Sequence, residues 1–223
     1  YVFCNLAGES YEHSVVRVAK ILADNRSYGT RPRLHVINFG PVLDALRAGS
    51  QPKYWQLILK RLMYRAAATV AEEARAGATV TGEALGQVSS QTLANLAAID
   101  EASSVVVFRP LLGFDKSEIV DRARTIGTFE ISSRVKEYCA IAPGNPVTHA
   151  TREAAAQEEA RVDGSVLEQA VANRRIIDLN KVNTADLADA YLFTEELPEG
   201  AVLVDVRGPG ETRDWEYPGA LRG

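Results

Sequence analysis

Long apolar runs, cysteines, histidines and surplus positive charge are all scarce in this sequence, and each scarcity removes a class of protein. No stretch approaches the ~20 consecutive apolar residues that a membrane-spanning helix needs. The opening YVFCNLAGES has neither the charged flank nor the long apolar segment of a secretory signal. A cytoplasmic protein with no membrane association is expected. The only two cysteines, Cys4 and Cys139, stand far apart; without a secretory signal they do not suggest a disulfide framework, although a reactive thiol stays open. Three scattered histidines, His13, His35 and His149, share no ligand spacing with them, so no metal site is read. A formal net charge of −4 argues against a dominant nucleic-acid surface, because phosphate binding rests on concentrated Lys and Arg. If the substrate is RNA, another segment supplies most of the grip.

What is present is a chain of 223 residues, 46% of them hydrophobic, enough to bury a full core with material to spare. It starts with Tyr inside an apolar run and stops at PGALRG, so both ends read as cuts. Short apolar runs at 1–6, 34–39, 78–81 and 104–108 alternate with helical stretches. Val15, Val16, Ala19 and Leu22 form one stripe; Leu59, Met63, Ala66, Ala67, Val70, Ala71 and Ala74 form a longer one. Asp115 with Glu118 predicts a capped helix over 116–126, ended by Gly127. Alternating strands and helices predict an α/β fold built on an open, doubly wound parallel sheet. In such sheets ligands bind beyond the carboxyl ends of the strands.

Past Pro146 the sequence turns rich in Ala and Glu and reads as two polar helices broken at Asp163-Gly164. From Ala201 a new strand, VLVDVR, begins another α/β segment. The expected organisation is an α/β domain over 1–146, a helical linker over 147–190 and a truncated α/β segment over 191–223.

Several segments could carry chemistry. The strand at 78–81 runs into TGEALGQVSSQTLANL. There Gly82 and Gly86 allow close backbone approach, and Ser89, Ser90 and Gln91 are expected to open a helix whose N–H groups suit a nucleotide. An ordinary strand-to-helix loop with a Ser cap stays open as the alternative. RPLLGFDKSEI should emerge at the same sheet edge, bringing Arg109 and Lys116 toward one pocket, or else forming a solvated pair beside a helix cap. Lys60, Arg61 and Arg65 cluster on the long helix, where a solvated face accounts for most of them. Cys139, in VKEYCAIAPGNP near Lys136, has a loop setting in which a thiolate can be activated, with an inert structural thiol as the alternative, whereas Cys4 in a strand reads as a core residue.

The stretches FCNLAGESYE, INFGPV, LKRLMYRAAATVAEE, VTGEALGQVSSQTLANLAAID, RPLLGFDKSEIV, ARTIGT and EYCAIAP, in this order, resemble the tRNA 4-thiouridine synthetase family (ThiI, tRNA sulfurtransferase). The most specific is TGEALGQVSSQT, and the similarity covers about 1–183. The resemblance implies a PP-loop ATP pyrophosphatase domain, an adenine nucleotide alpha hydrolase-like fold, preceded in the family by ferredoxin-like and THUMP domains that bind tRNA. The tail VLVDVRGPGE with PGA downstream is similar to a rhodanese opening, with Glu216-Tyr217 where His-Ile is usual.

By motif, Phe3, Cys4, Lys60, Gly82 and Gln91 would bind ATP, with Mg²⁺. Lys116 would act as the cation in activation, and Cys139 as one cysteine of a redox pair. The implied chemistry is adenylation of a tRNA uracil followed by sulfur delivery from a persulfide loaded by a cysteine desulfurase. Family members in several organisms also supply sulfur for the thiamine thiazole through a sulfur-carrier protein, and a homodimer stays open. The SGG-x-DS phosphate loop and the rhodanese cysteine are expected outside these residues, which leaves the chain incomplete for turnover. Another PP-loop adenylating enzyme, or a non-catalytic nucleotide- or tRNA-binding module, is the alternative.

Overall fold

A computed structural model describes residues 1–133, 135, 145–183, 200, 202–205 and 219–222. The chain divides into two compact units, Tyr1–Leu187 and Ala188–Gly223.

In the first unit, β1 (Val2–Asn5) and β2 (Arg33–Asn38) are parallel and joined by α1 (Glu9–Arg26). The period-2 alternation of β2 decides what each face meets. Leu34 and Val36 pack with Phe3 against Val16, Ala19 and Ala23 of α1. Ile37 turns to the opposite face, where α2 (Gly40–Gly49) and α3 (Trp55–Glu73) bury Val42, Leu46, Ile58, Leu59, Leu62 and Ala66. Helices on both faces of a parallel pair are the expected doubly wound arrangement. A second parallel pair is made by β3 (Ala78–Val80) and β4 (Val106–Phe108), with α4 (Leu93–Asp100) between them.

Next come α5 (Lys116–Ile126) and α6 (Phe129–Ser132). α5 begins with the expected reciprocal cap between Asp115 and Glu118, and Gly127 ends it in the left-handed region at φ 84°. The two polar helices also form, as α7 (Arg152–Glu159) and α8 (Gly164–Ala172). They lie against the first unit's core rather than in solvent: Leu167 and Val171 join the cluster under α2 and α3, and Ala155 packs with Tyr64 and Ile99. The stretch expected as a linker also holds β5 (Arg175–Asp178), which pairs antiparallel with β2. An antiparallel edge on an otherwise parallel sheet is a common variation. The RIID run is too short to announce its direction.

Hydrogen bonding orders the first sheet β1-β2-β5 and leaves β3-β4 as a separate pair. Both β1 and β3 line one cleft beside α3. In the second unit β6 (Val204–Asp205) pairs in parallel with β7 (Leu221–Arg222); β6 lies within the VLVDVR run. Among the described residues no helix is long and apolar enough to cross a membrane.

Candidate nucleotide site

The cleft between β1 and β3 has a volume of about 650 Å³, within the ~300–1,000 Å³ range of small-molecule sites. Phe3, Cys4, Lys60, Gly82 and Gln91 all line it. These residues are spread over 89 positions of sequence, and three elements bring them together. β1 contributes the first two, α3 presents Lys60, and the turn after β3 supplies the glycine and the glutamine. A Cβ added at Gly82 would meet no protein atom within 4 Å, so the backbone there faces open space.

The segment after β3 is shaped differently from expectation. Ser89–Gln91 form a short 3-10 turn, and α4 starts only at Leu93. Thr92, not a serine, caps it, its hydroxyl accepting from the Asn95 N–H at 3.2 Å. Ser89 instead donates its hydroxyl to Gln56 of α3, so it binds protein rather than opening a helix toward a ligand. Gly86 is required at φ 76°, the left-handed region, and its N–H closes the loop on the Gln91 carbonyl at 2.9 Å.

Glu83, which sequence reasoning passed over, is the electrostatic centre of the cleft. It is 4% exposed. Its Oε2 accepts from Tyr64, from Arg109 Nε at 3.0 Å and from Thr81 at 3.3 Å. Arg109 also donates to the Tyr64 hydroxyl at 3.0 Å and to Asp100. Arg109 is therefore consumed by an internal network, and the expectation that it would reach a phosphate beside Lys116 is not met. The reason is burial: a guanidinium this enclosed needs fixed acceptors. Enclosure opposes its charge, but the hydrogen bond to Asp100, then Tyr64 and Glu83, raise its pKa above the ordinary value. Burial first, and donation to Glu83 second, push the Tyr64 hydroxyl upward, so it stays protonated.

The signals for these residues were in the sequence. Tyr64 follows Lys60 by one helical turn and shares its face, and Glu83 is a lone acid set directly after an apolar strand and Gly82. Lys60 Nζ stands 3.9 Å from Glu83 Oε1. Arg61, expected mostly on a solvated face, is 2% exposed and ion-paired with Glu159 at 2.6 Å.

Lys116 is exposed at the first turn of α5 and is not among the residues lining the cleft. Its loop does dock beside the glycine turn, since the Leu85 N–H donates to the Leu112 carbonyl at 3.0 Å. Cys139 and Lys136 lie outside the described residues. Among the described residues no group of three or more His, Cys, Asp or Glu could hold a metal.

A family model described as Thiamine biosynthesis protein (ThiI) matches residues 2–163. Curated proteins named tRNA sulfurtransferase are similar along nearly the whole chain. That of Colwellia psychrerythraea is 35% identical over 96% of this chain and 45% of its own length. That of Pyrobaculum aerophilum is 36% identical over 99% of this chain and 46% of its own. The chain thus spans less than half the length of these relatives. A solved structure, of a 4-thiouridine synthetase–RNA complex with bound ATP, superposes with a TM-score of 0.71 at 34% identity, covering 79% of this chain and 47% of that one.

Proposed function

The chain belongs to the ThiI family, and from that premise we propose that it is the nucleotide-handling part of an ATP-dependent tRNA uracil 4-sulfurtransferase. The observation that carries the reading is the convergence of Phe3, Cys4, Lys60, Gly82 and Gln91 on one cleft. The ATP and RNA bound by the similar 4-thiouridine synthetase give the same direction.

In this reading ATP supplies an adenylyl group to the uracil O4, with loss of pyrophosphate, and so makes that oxygen a leaving group. The chain's residues bind and orient. Gly82 leaves room for backbone contact, Lys60 offers the cleft a positive charge, and the Glu83–Arg109–Tyr64 cluster holds the cleft wall rigid. Lys116, on the loop docked beside the glycine turn, is assigned to the RNA or to the charge developing during activation. Sulfur then arrives from a persulfide loaded by a cysteine desulfurase. The terminal persulfide sulfur attacks the carbon that bears the adenylated oxygen and displaces AMP, leaving uridine and carrier joined by an S–S bond. The Cys139 thiolate attacks the carrier cysteine's sulfur, breaks that bond to release 4-thiouridine, and forms a Cys139–carrier disulfide that a reductant must reset. The second unit is assigned as the start of a rhodanese-like domain, and sulfur supply to thiamine through a carrier protein is a further role of the same chemistry.

One experiment, on the protein at its full natural length, separates the steps. Lys60→Ala should lose at least about tenfold in tRNA-dependent pyrophosphate release, the scale of one charge-assisted contact. Cys139→Ser should retain release yet stop making 4-thiouridine after about one turnover. Full multiple turnover by Cys139→Ser would remove the thiol from the mechanism, and unchanged release by Lys60→Ala would remove the cleft.

A further inference from the structure

We propose that Glu83 reads the nucleoside portion of the bound nucleotide, its Oε1 accepting a hydrogen bond from a neutral N–H or O–H donor of the ligand. The inference rests on the nucleotide reading above and adds a specificity-determining residue to it.

The two carboxylate oxygens of Glu83 have unequal surroundings. Oε2 takes the donors already described, from Tyr64, Arg109 and Thr81. Oε1 is buried and accepts no hydrogen bond from any described residue. Lys60, at 3.9 Å, is beyond the ~3.2 Å limit of an N–H···O bond. A buried acceptor left without a donor costs free energy that a correctly placed ligand group recovers. Gln91 repeats the pattern on the same cleft: its Oε1 is also buried without a hydrogen bond from the described residues.

Two unsatisfied acceptors set the polarity of what can sit against them. Ionised phosphate oxygens are themselves acceptors and would be repelled by a carboxylate. ATP carries neutral donors only on its nucleoside half, at the adenine 6-amino group and the ribose 2′ and 3′ hydroxyls. The donors that fit these acceptors are therefore those of the nucleoside half.

Substitution by glutamine isolates this role. The donors at Oε2 hold the amide with its oxygen toward them. The NH₂ then falls where Oε1 was, and an acceptor becomes a donor at nearly constant volume.

The test titrates ATP, 2′-deoxy-ATP, 3′-deoxy-ATP and ITP, whose 6-amino group is replaced by oxygen, calorimetrically into the full-length wild-type protein and Glu83→Gln. One analogue should bind wild type at least about tenfold more weakly than ATP, as expected for a hydrogen bond to a charged group. Glu83→Gln should lose ATP by a similar factor and show no further loss with that analogue. If all three analogues bind wild type as ATP does, no donor is read and the inference fails. Equal loss of ATP and every analogue in Glu83→Gln would also overturn it, since that is the signature of action through Lys60 and the Arg109 cluster alone. Failure of wild type to bind ATP is a different result and removes the nucleotide reading itself. Should Glu83→Gln not fold, Glu83→Asp, which withdraws the carboxylate by one methylene, takes its place in the same cycle.

Discussion

Lys60, Arg61 and Arg65 are close neighbours on α3 and meet three different fates. One helical residue turns the side chain by ~100°, so Lys60 reaches the cleft while Arg61 points into the packing with α4 and α7. Arg61 donates to the Ala98 carbonyl and pairs with Glu159; Arg65, about half exposed, holds the other oxygen of the same carboxylate. Removing a buried partner strands the charge left behind. Glu159→Ala should therefore cost about 3–5 kcal/mol, whereas Arg65→Ala, with solvent at hand, should cost under about 1 kcal/mol. Urea unfolding of the two variants measures the difference, and similar midpoints would show that Arg61 is satisfied without its acid.

The motif loop and the stretch before α7 are joined through two side chains, Thr92, whose hydroxyl donates to the Thr148 carbonyl at 2.6 Å, and Asn95. Asn95, on α4, is 0% exposed. It donates to the Ser89 carbonyl at 2.8 Å and to the Val147 carbonyl at 2.9 Å, and accepts from the Ala150 N–H at 3.0 Å. Its shape could be matched by leucine but its hydrogen bonds could not. Asn95→Leu should destabilise the fold by about 3 kcal/mol or more, since each buried group left unpaired costs roughly 1–3 kcal/mol. Amide exchange should quicken first at Ala150 and in the 3-10 turn at 89–91; unchanged protection there would show that the loop is held by other contacts. Asn95 lay inside the quoted motif, yet nothing in the sequence separated it from an ordinary helix-surface amide. α5 is the opposite case, because its start and stop are both local devices. The backbone N–H of Glu118, followed by the Ser117 hydroxyl, holds the Asp115 carboxyl below its ordinary pKa.

Across the whole chain, acidic groups exceed basic ones by four, and several of the cations on α3 and just after β4 are spent on internal pairs. Arg61, Arg109 and, in part, Arg65 are neutralised by Glu159, Glu83 and Asp100. A net negative chain opposes a phosphate backbone rather than displacing its counterions. The chain by itself should bind unfractionated tRNA no more tightly than about 10⁻⁶ M at physiological salt, in the range of non-specific association. Gel-shift titration across salt concentrations checks this, and tight, tRNA-selective binding would place an RNA-recognition surface within these residues.

The sequence by itself determined the α/β class, four of the strands and the caps of α5, because apolar periodicity and capping chemistry act over a few residues; the five residues that line one cleft were legible only through the motifs shared with the family. The tertiary structure alone decided the direction of β5, the burial of Arg61 against a helix 98 positions away, and the enclosure of Glu83 between Tyr64 and Arg109. Those outcomes depend on which distant elements share a face. A charged residue looks the same in sequence whether water or a buried partner satisfies it, and only packing makes that choice.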